Sequence, residues 1–340
     1  MQGALPQIPD MTLSVVTPCY NEEAGLLEFH RRVSAVAKAN AGASYEIVFV
    51  NDGSTDRTLN ILSQLAEDDP YVVVIDLARN FGQQVALSAG LEICRGQRIL
   101  ILDADLQDPP ELLSQMMTAM DSGADVVYGQ RSKREGESRL KLLRSRLFYR
   151  LWKRLVDVDV ALDTGDFRLM SRRALDHLNA MPERVRFVRG MISWVGLRQA
   201  AILYDRDARF AGTSHYSVRK LIALAVDAIT SFSVVPLRLA SHLGFIMGLT
   251  GLLMLGYTMW SWIGGHAVAG WTSLASLILI IGSGQFLVLG IFGEYLGRMY
   301  IETKRRPLYI VNAIHSSSGK ATSGVDAKDL QDKLRDRLSA

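Results

Sequence analysis

Two runs in the second half of the chain, Leu239 to Ile263 and Trp271 to Phe292, contain no Asp, Glu, Lys or Arg, and they limit what the chain can fold into more than any other feature. Each is about as long as the roughly 20-residue helix that crosses a bilayer. A helical hairpin buried in a soluble domain is the alternative, but two such stretches in tandem would have little to hide against in 340 residues. The hydrophobic fraction of 49% is ordinary as an average, so its uneven distribution carries the information. Arg238 lies before the first run, and Arg298, Lys304, Arg305 and Arg306 follow the second, whereas the connection Gly264 to Gly270 offers only His266. The excess of basic residues outside the hairpin predicts two crossings with both termini on the cytoplasmic side. No basic-then-apolar leader opens the chain, so the first domain is expected on that side too.

The first half has a different pattern. Thr12 to Thr17, Glu46 to Asn51, Val72 to Leu77, Arg98 to Asp103 and Ala124 to Tyr128 are short β-rich runs, separated by helical patterns such as Glu22 to Ala39 and Thr55 to Asp68. That alternation predicts an α/β domain with a mostly parallel sheet. The run Ile99 to Leu102 leads directly into DADLQDPPE, so Asp103 and Asp105 should emerge at the C-terminal edge of the sheet, where such folds bind ligands. Two carboxylates two residues apart, with the amide of Gln107 beyond them, are hard oxygen donors of the kind Mg²⁺ or Mn²⁺ uses on a diphosphate. A bare DxD is also a common solvated turn, and the longer string is the more specific signal. Pro109 suits the first turn of the next helix.

Leu140, Leu143, Leu147, Leu151 and Leu155 share one helical face, with Arg139, Arg146, Arg150 and Lys153 beside it. A basic amphipathic helix over Leu140 to Val156 suits an anionic membrane surface, the alternative being a core helix with a solvated basic side. Tyr216 to Val235 is a second, less basic candidate. The two cysteines, Cys19 and Cys94, are not expected to form a disulfide, and the six histidines show no zinc spacing. The segment Ser316 to Ala340 reads as a mobile tail or short exposed helix. The formal net charge of +3 says little about partners, and no nucleic-acid partner is expected.

Several strings in fixed order carry a resemblance: TPCYNEE (Thr17 to Glu23), VNDGSTD (Val50 to Asp56), ARNFGQ (Ala78 to Gln83), DADLQDPPE, DTGDFRLM (Asp163 to Met170), FVRGMISWVG (Phe187 to Gly196) and EYLGRMYIETKRRPLYIV (Glu294 to Val311). Over about residues 12 to 312 the chain resembles the inverting family 2 glycosyltransferases, and among them the polyprenyl-phosphate glycosyltransferases, a group that includes dolichyl-phosphate mannose synthase and bactoprenol glucosyltransferases. The resemblance implies a GT-A, Rossmann-like core over 1–138 and an acceptor-side part with interfacial helices over 139–235. A transmembrane hairpin over 236–298, a cytoplasmic post-membrane segment over 299–314 and a flexible tail over 315–340 would follow. It implies transfer of one sugar from a nucleoside-diphosphate sugar, of UDP-hexose or GDP-mannose type, to undecaprenyl or dolichyl phosphate at the cytoplasmic membrane face.

Pro18, Tyr20 and Glu22 after the first strand and Asp52 after the second are then expected to hold the donor, together with Asp103, Ala104 and Asp105. Asn51, Asp52 and Gly53 are also ordinary turn formers, and Glu22 can begin a helix. By resemblance, Asp103, Asp105 and Gln107 match the family's metal positions, where Mg²⁺ or Mn²⁺ would neutralise the departing diphosphate. Asp105 and Asp166 are the candidate catalytic carboxylates, with Asp166 facing sugar and acceptor from a loop before a helix that begins near Ser171. Asp163 fits a turn or cap better. Arg131, Arg206 and Arg209, with Ser214, are candidates for the lipid phosphate because guanidinium matches phosphate geometry; each arginine could instead pair with Asp205 or Asp207. Trp194 reads as a core residue. The absence of GxGxxG and GxxxxGK[ST] argues against a dinucleotide cofactor or a P-loop. A processive polysaccharide synthase is disfavoured because no QxxRW string occurs, and a silent nucleotide-binding scaffold because the acidic strings are intact. A homo-oligomer is left open.

Overall fold

The computed structural model describes residues 11–131, 164–205, 233–264 and 270–317. The basic helix expected over Leu140 to Val156, Asp163, Arg206, Arg209, Ser214 and nearly all of Tyr216 to Val235 lie outside them. The chain divides into two units, one built on residues 1–137, 160–216 and 306–340, the other on 138–159 and 217–305.

In the first unit the strands form where the β-rich runs predict. They are β1 (Leu13–Cys19), β2 (Tyr45–Asn51), β3 (Val72–Leu77), β4 (Arg98–Ile101) and β5 (Val126–Arg131). β6 (Thr164–Ser171), β7 (Gln199–Tyr204) and β8 (Val311–Ser316) complete an eight-stranded sheet among the described residues, in the order β7-β5-β6-β4-β1-β2-β3-β8. β4, β1, β2 and β3 are mutually parallel. Their residues are buried almost throughout, as the two-sided cover of a parallel sheet requires. From β1 the chain builds outward through β2 and β3, then returns to place β4 on β1's other side. The C-terminal ends of β1 and β4 therefore flank a topological switch point, where loops diverge and leave a crevice.

Helices cover both faces. α1 (Leu26–Ala41), α2 (Thr58–Asp68) and α4 (Leu113–Asp121) lie over the core of Phe29, Phe49, Met116, Phe167 and Leu169. α3 (Gln83–Ile93) lies on the other face, where Gly90 lets it approach so closely that an added Cβ would stand 2.4 Å from Val16 Cγ1. α3 is buried on nearly every side, at Ala86, Leu87, Ser88, Ala89, Gly90, Leu91 and Ile93, so it has no amphipathic stripe for a sequence pattern to reveal. α5 (Arg172–Asn179) and α6 (Val188–Val195) follow on this side.

Four boundaries differ from the sequence expectation. α1 begins at Leu26 rather than Glu22, because Asn21 turns the chain with φ 57°. α2 begins at Thr58, after a turn in which Asp56 accepts from the Thr58 amide at 2.9 Å. Pro110, not Pro109, opens a one-turn 3-10 helix. Asp166 lies in a strand instead of a loop: β6 is inserted antiparallel between β4 and β5, a pairing made with segments distant in sequence. The helix start near Ser171 is as expected, with Ser171 Oγ accepting from the Ala174 amide at 3.2 Å.

β8 was not anticipated. It adds antiparallel to β3 at the sheet edge, where Asn312 and Asn51 each donate to the buried Asp76 carboxylate at 2.7 Å. Just before it, the buried Tyr309 donates to Glu92 at the end of α3, at 2.6 Å.

The second unit is dominated by α7 (Val235–Ile263), of 29 residues, and α8 (Trp271–Thr303), of 33. Val235–Ser261 and Ile280–Thr303 are long and apolar enough to cross a membrane. The helices touch where Gly284 admits Met247, and Tyr295 donates to the Ser233 carbonyl at 2.6 Å. Elsewhere large apolar side chains face outward, with Leu252 66% and Phe286 77% exposed.

Candidate active site

The crevice at the switch point is floored by the acidic string after β4. Burial alternates along it: Leu102, Ala104, Leu106 and Asp108 point into the protein, while Asp103, Asp105 and Gln107 are partly exposed. Leu106 adopts φ 58°, a conformation costing a non-glycine residue roughly 1–3 kcal/mol. Packing of its side chain, 2% exposed in the core, holds it there. The turn is closed by the Gln107 amide donating to Asp105 Oδ1 at 3.1 Å, which presents Asp105 beside Asp103. Asp108 faces the opposite way and accepts from the Tyr204 hydroxyl, so it anchors the string to β7. Burial, and then Asp108, push the Tyr204 pKa up.

β6 brings the fourth carboxylate. Its register against β4, Ile101 opposite Arg168, carried two residues further sets Asp166 across from Asp103. Gln83, the first residue of α3, donates from Nε2 to Asp103 Oδ1 at 2.9 Å and reaches Asp166 Oδ2 at 3.5 Å. Gln84 donates to the same Asp166 oxygen at 3.2 Å, while its own carbonyl accepts the Val188 amide at 3.0 Å. Arg189 Nε donates to Asp166 Oδ1 at 2.6 Å. Arg168, 5% exposed beneath them, donates to the carbonyls of Asp166 and Gly165 at 3.3 and 3.0 Å.

The electrostatics of the two facing carboxyls diverge. Burial, reinforced by Asp166, Asp105 and Asp108, pushes Asp103 up to about 7. Burial alone would also raise Asp166, but Arg189, Arg168 and the Gln84 hydrogen bond outweigh it and hold Asp166 below the usual carboxylate range. Burial lowers Arg168 to about 10. Among the described residues, no three His, Cys, Asp or Glu side chains form a ready-made ion cage. The donor set at Asp103 and Asp105 is instead the sparse, carboxylate-only kind that Mg²⁺ shares with water and substrate phosphate, and the negative charge of Asp105, Asp108 and Asp166 around Asp103 is what a cation would relieve.

The loops after β1 and β2 form the neighbouring wall. The amides of Asn21 and Glu22 donate to Ser54 Oγ at 3.1 Å and Thr58 Oγ1 at 2.9 Å, and Thr55 donates back to Asn21 Oδ1 at 2.8 Å. Tyr20 is 43% exposed there. Asp52 is buried: its two oxygens accept the amides of Phe81 and Gly82 at 2.7 and 2.9 Å, which fixes the chain entering α3. Gly53 makes this junction feasible, since at φ 63° an added Cβ would stand 2.5 Å from the Arg79 carbonyl carbon. Cys19 is buried nearby, and burial, then Glu22 and Asp103, raise its pKa well above the ordinary thiol value, the opposite of the shift that activates a thiol.

Residues 14–178 match the family model described as Glycosyl transferase family 2. The chain is 43% identical over 308 residues to the uncharacterized glycosyltransferase YkcC of Bacillus subtilis (strain 168), covering 90% of this chain and 95% of that protein. This chain belongs to glycosyl transferase family 2. It is also 39% identical over 309 residues to the bactoprenol glucosyl transferase of Shigella phage SfII, covering 90% of this chain and 99% of that one. Among solved structures, the glucosyl-3-phosphoglycerate synthase of Mycobacterium tuberculosis in complex with phosphoglyceric acid matches with a TM-score of 0.44 and 20% identity, over 65% of this chain and 78% of that one.

The sheet domain of this glycosyltransferase brings together Asp103, Asp105 and Asp166, with Ala104 buried beneath them and the Pro18–Glu22 loop on one side. It places Arg131 on the Asp108 side of the sheet: a Cβ added to Gly165 would lie 3.0 Å from Arg131 Nη2 and 3.5 Å from Asp108 Oδ2. Trp194, expected in the core, is 66% exposed, because α6 buries the face of Val188, Met191 and Ile192 and position 194 falls off it. Sequence reasoning assigned no role to Gln83, Gln84, Arg168 or Arg189. All but Gln84 lie inside the quoted ARNFGQ, DTGDFRLM and FVRGMISWVG strings, which were the available signal.

Proposed function

We propose that this glycosyltransferase moves a single sugar, with inversion, from a nucleoside-diphosphate sugar of UDP-hexose or GDP-mannose type to a polyprenyl phosphate at the cytoplasmic membrane face. The observation that carries the reading is the pairing of two facing carboxyls, Asp103 and Asp166, with opposite electrostatic settings across the switch-point crevice. Near full-length similarity to a protein named bactoprenol glucosyl transferase supports the acceptor class, since the matched region reaches beyond the crevice into the two apolar helices.

Asp103 and Asp105 are the residues that would hold Mg²⁺ or Mn²⁺, with Gln107 alongside. When bound, the cation supplies Lewis-acid neutralisation of the charge gathering on the departing diphosphate. The Tyr20–Glu22 loop, braced against Ser54, Thr55 and Thr58, offers a fixed wall for the nucleoside, and Asp52 contributes by holding the loop that starts α3. Asp166 has both oxygens engaged by Arg189 and the two glutamines. An acceptor phosphate is already ionised at neutral pH and needs no strong base. Asp166 therefore orients the acceptor and presents fixed negative charge to the oxocarbenium-like transition state. Arg206, Arg209 and Ser214 are assigned to the acceptor phosphate; Arg131, also a sequence candidate, lies beside Asp108, which faces away from Asp103 and Asp105.

The test is transfer of radiolabelled hexose from UDP-hexose or GDP-mannose to undecaprenyl phosphate in liposomes containing the full chain and Mn²⁺. One sugar per lipid is expected. Label found only in polymer, or in no lipid at all, would overturn the acceptor assignment.

A further inference from the structure

The two glutamines that open α3 hold the carboxyls of the crevice differently. Gln83 touches a carboxyl on each side of the crevice, at 2.9 Å to Asp103 and 3.5 Å to Asp166, whereas Gln84 touches only Asp166 and is latched to the start of α6 through Val188. Neither is held by a helix cap of its own, for no side chain caps α3. Their position comes instead from Asp52, whose paired hydrogen bonds to Phe81 and Gly82 end one residue before Gln83. Gln83 thus bridges Asp103 and Asp166, at the start of a helix whose entry Asp52 fixes through the backbone.

We propose that Gln83 is a positioning residue that couples the two halves of the site: its amide competes with a divalent cation for Asp103 Oδ1, and once displaced from that oxygen it tightens on Asp166. This rests on the assignment of the cation to Asp103 made above. An amide Nε2 carries two hydrogens, so it can span both carboxylates, the second contact being the long one. With a cation on Asp103 the amide keeps the Asp166 contact and can shorten it, which fixes Asp166 when donor and metal are in place. Gln84 holds Asp166 in either state and has no share in the exchange.

The two neighbouring glutamines therefore give opposite signatures, which a general loosening of α3 would not. In the full-length protein in detergent, Mn²⁺ alone is titrated by electron paramagnetic resonance, and thermal unfolding is recorded for every variant. Gln83→Leu should bind Mn²⁺ about 3- to 10-fold more tightly than wild type, because a competitor for the oxygen is gone, while Gln84→Leu binds it as wild type does. Both should lower kcat about 10-fold with donor Kd within about 3-fold. Gln83→Ala, which removes the amide without adding apolar bulk, should reproduce the Mn²⁺ effect. Unchanged or weaker Mn²⁺ binding in Gln83→Leu and Gln83→Ala, or an equal tightening in Gln84→Leu, overturns the proposal. If Asp103→Ala binds Mn²⁺ as wild type does, the metal assignment itself falls, and the proposal with it.

Discussion

Phenylalanine has opposite fates in the two units of this glycosyltransferase: Phe49 and Phe167 are 0% exposed inside the sheet domain, whereas Phe286 on α8 is 77% exposed. The difference is one of solvent. In the first unit apolar side chains are removed from water by strands and helices closing over them, which is the dominant favourable term in folding. In the second, two helices offer each other only a narrow contact and leave the rest of their apolar surface outward. That arrangement is stable where the surroundings are themselves apolar and every backbone polar group is satisfied within the helix. The same residue types therefore build a closed core in one unit and outward-facing apolar helices in the other, and on the proposed reading the two should be separable by mutation.

The largest separation is expected at the crevice. Asp103→Ala should lower transfer by more than about 100-fold, on the scale of losing one strong electrostatic stabiliser, and leave resistance to alkaline extraction from membranes unchanged. Excess chelator should do the same to wild type; full turnover in EDTA would contradict the metal assignment. The converse experiment is Leu252→Arg, on the exposed face of α7. Burying a charge near the middle of a span costs about 2.5–3.5 kcal/mol, so membrane integration should fall steeply while donor affinity in detergent is retained. Loss of donor binding there would mean the two units are not independent.

Smaller effects sharpen the picture within the sheet domain. Asp166→Asn keeps shape and removes charge, and kcat should fall by up to about 100-fold, as for a misplaced reacting group, with donor Kd nearly unaltered. A collapse of nucleotide affinity would move Asp166 to the donor side. The mildest change is Asn312→Ala, which withdraws one of two donors from buried Asp76 at the β3–β8 edge. It should destabilise the sheet domain by about 1–2 kcal/mol in thermal unfolding without altering the extraction behaviour of the helices.

Much of this was legible without coordinates because the signals are local. The β-rich runs, the acidic string at the end of one of them and the two uncharged spans each declare themselves over a few consecutive residues. Three features were not legible for the same reason. α3 has no periodic stripe because it is buried all round. β6 and β8 are antiparallel strands whose partners, β4 and β3, lie far away in sequence. Trp194 was placed by residue type, whereas its exposure depends on which face of an eight-residue helix meets the sheet.

The sequence by itself determined the chemistry available: carboxylates and an amide after an apolar strand, arginines downstream, and enough uncharged length to cross a bilayer twice. Tertiary structure alone decided which of these groups meet. Asp166 faces Asp103 only because an antiparallel strand is threaded between β4 and β5, and Gln83 reaches both only because Asp52, in the loop after β2, fixes the start of its helix. Side-chain identity follows from the chain alone, but the field at a carboxyl depends on which distant residues fold against it, and that set one of these two acids near 7 and the other below the ordinary range.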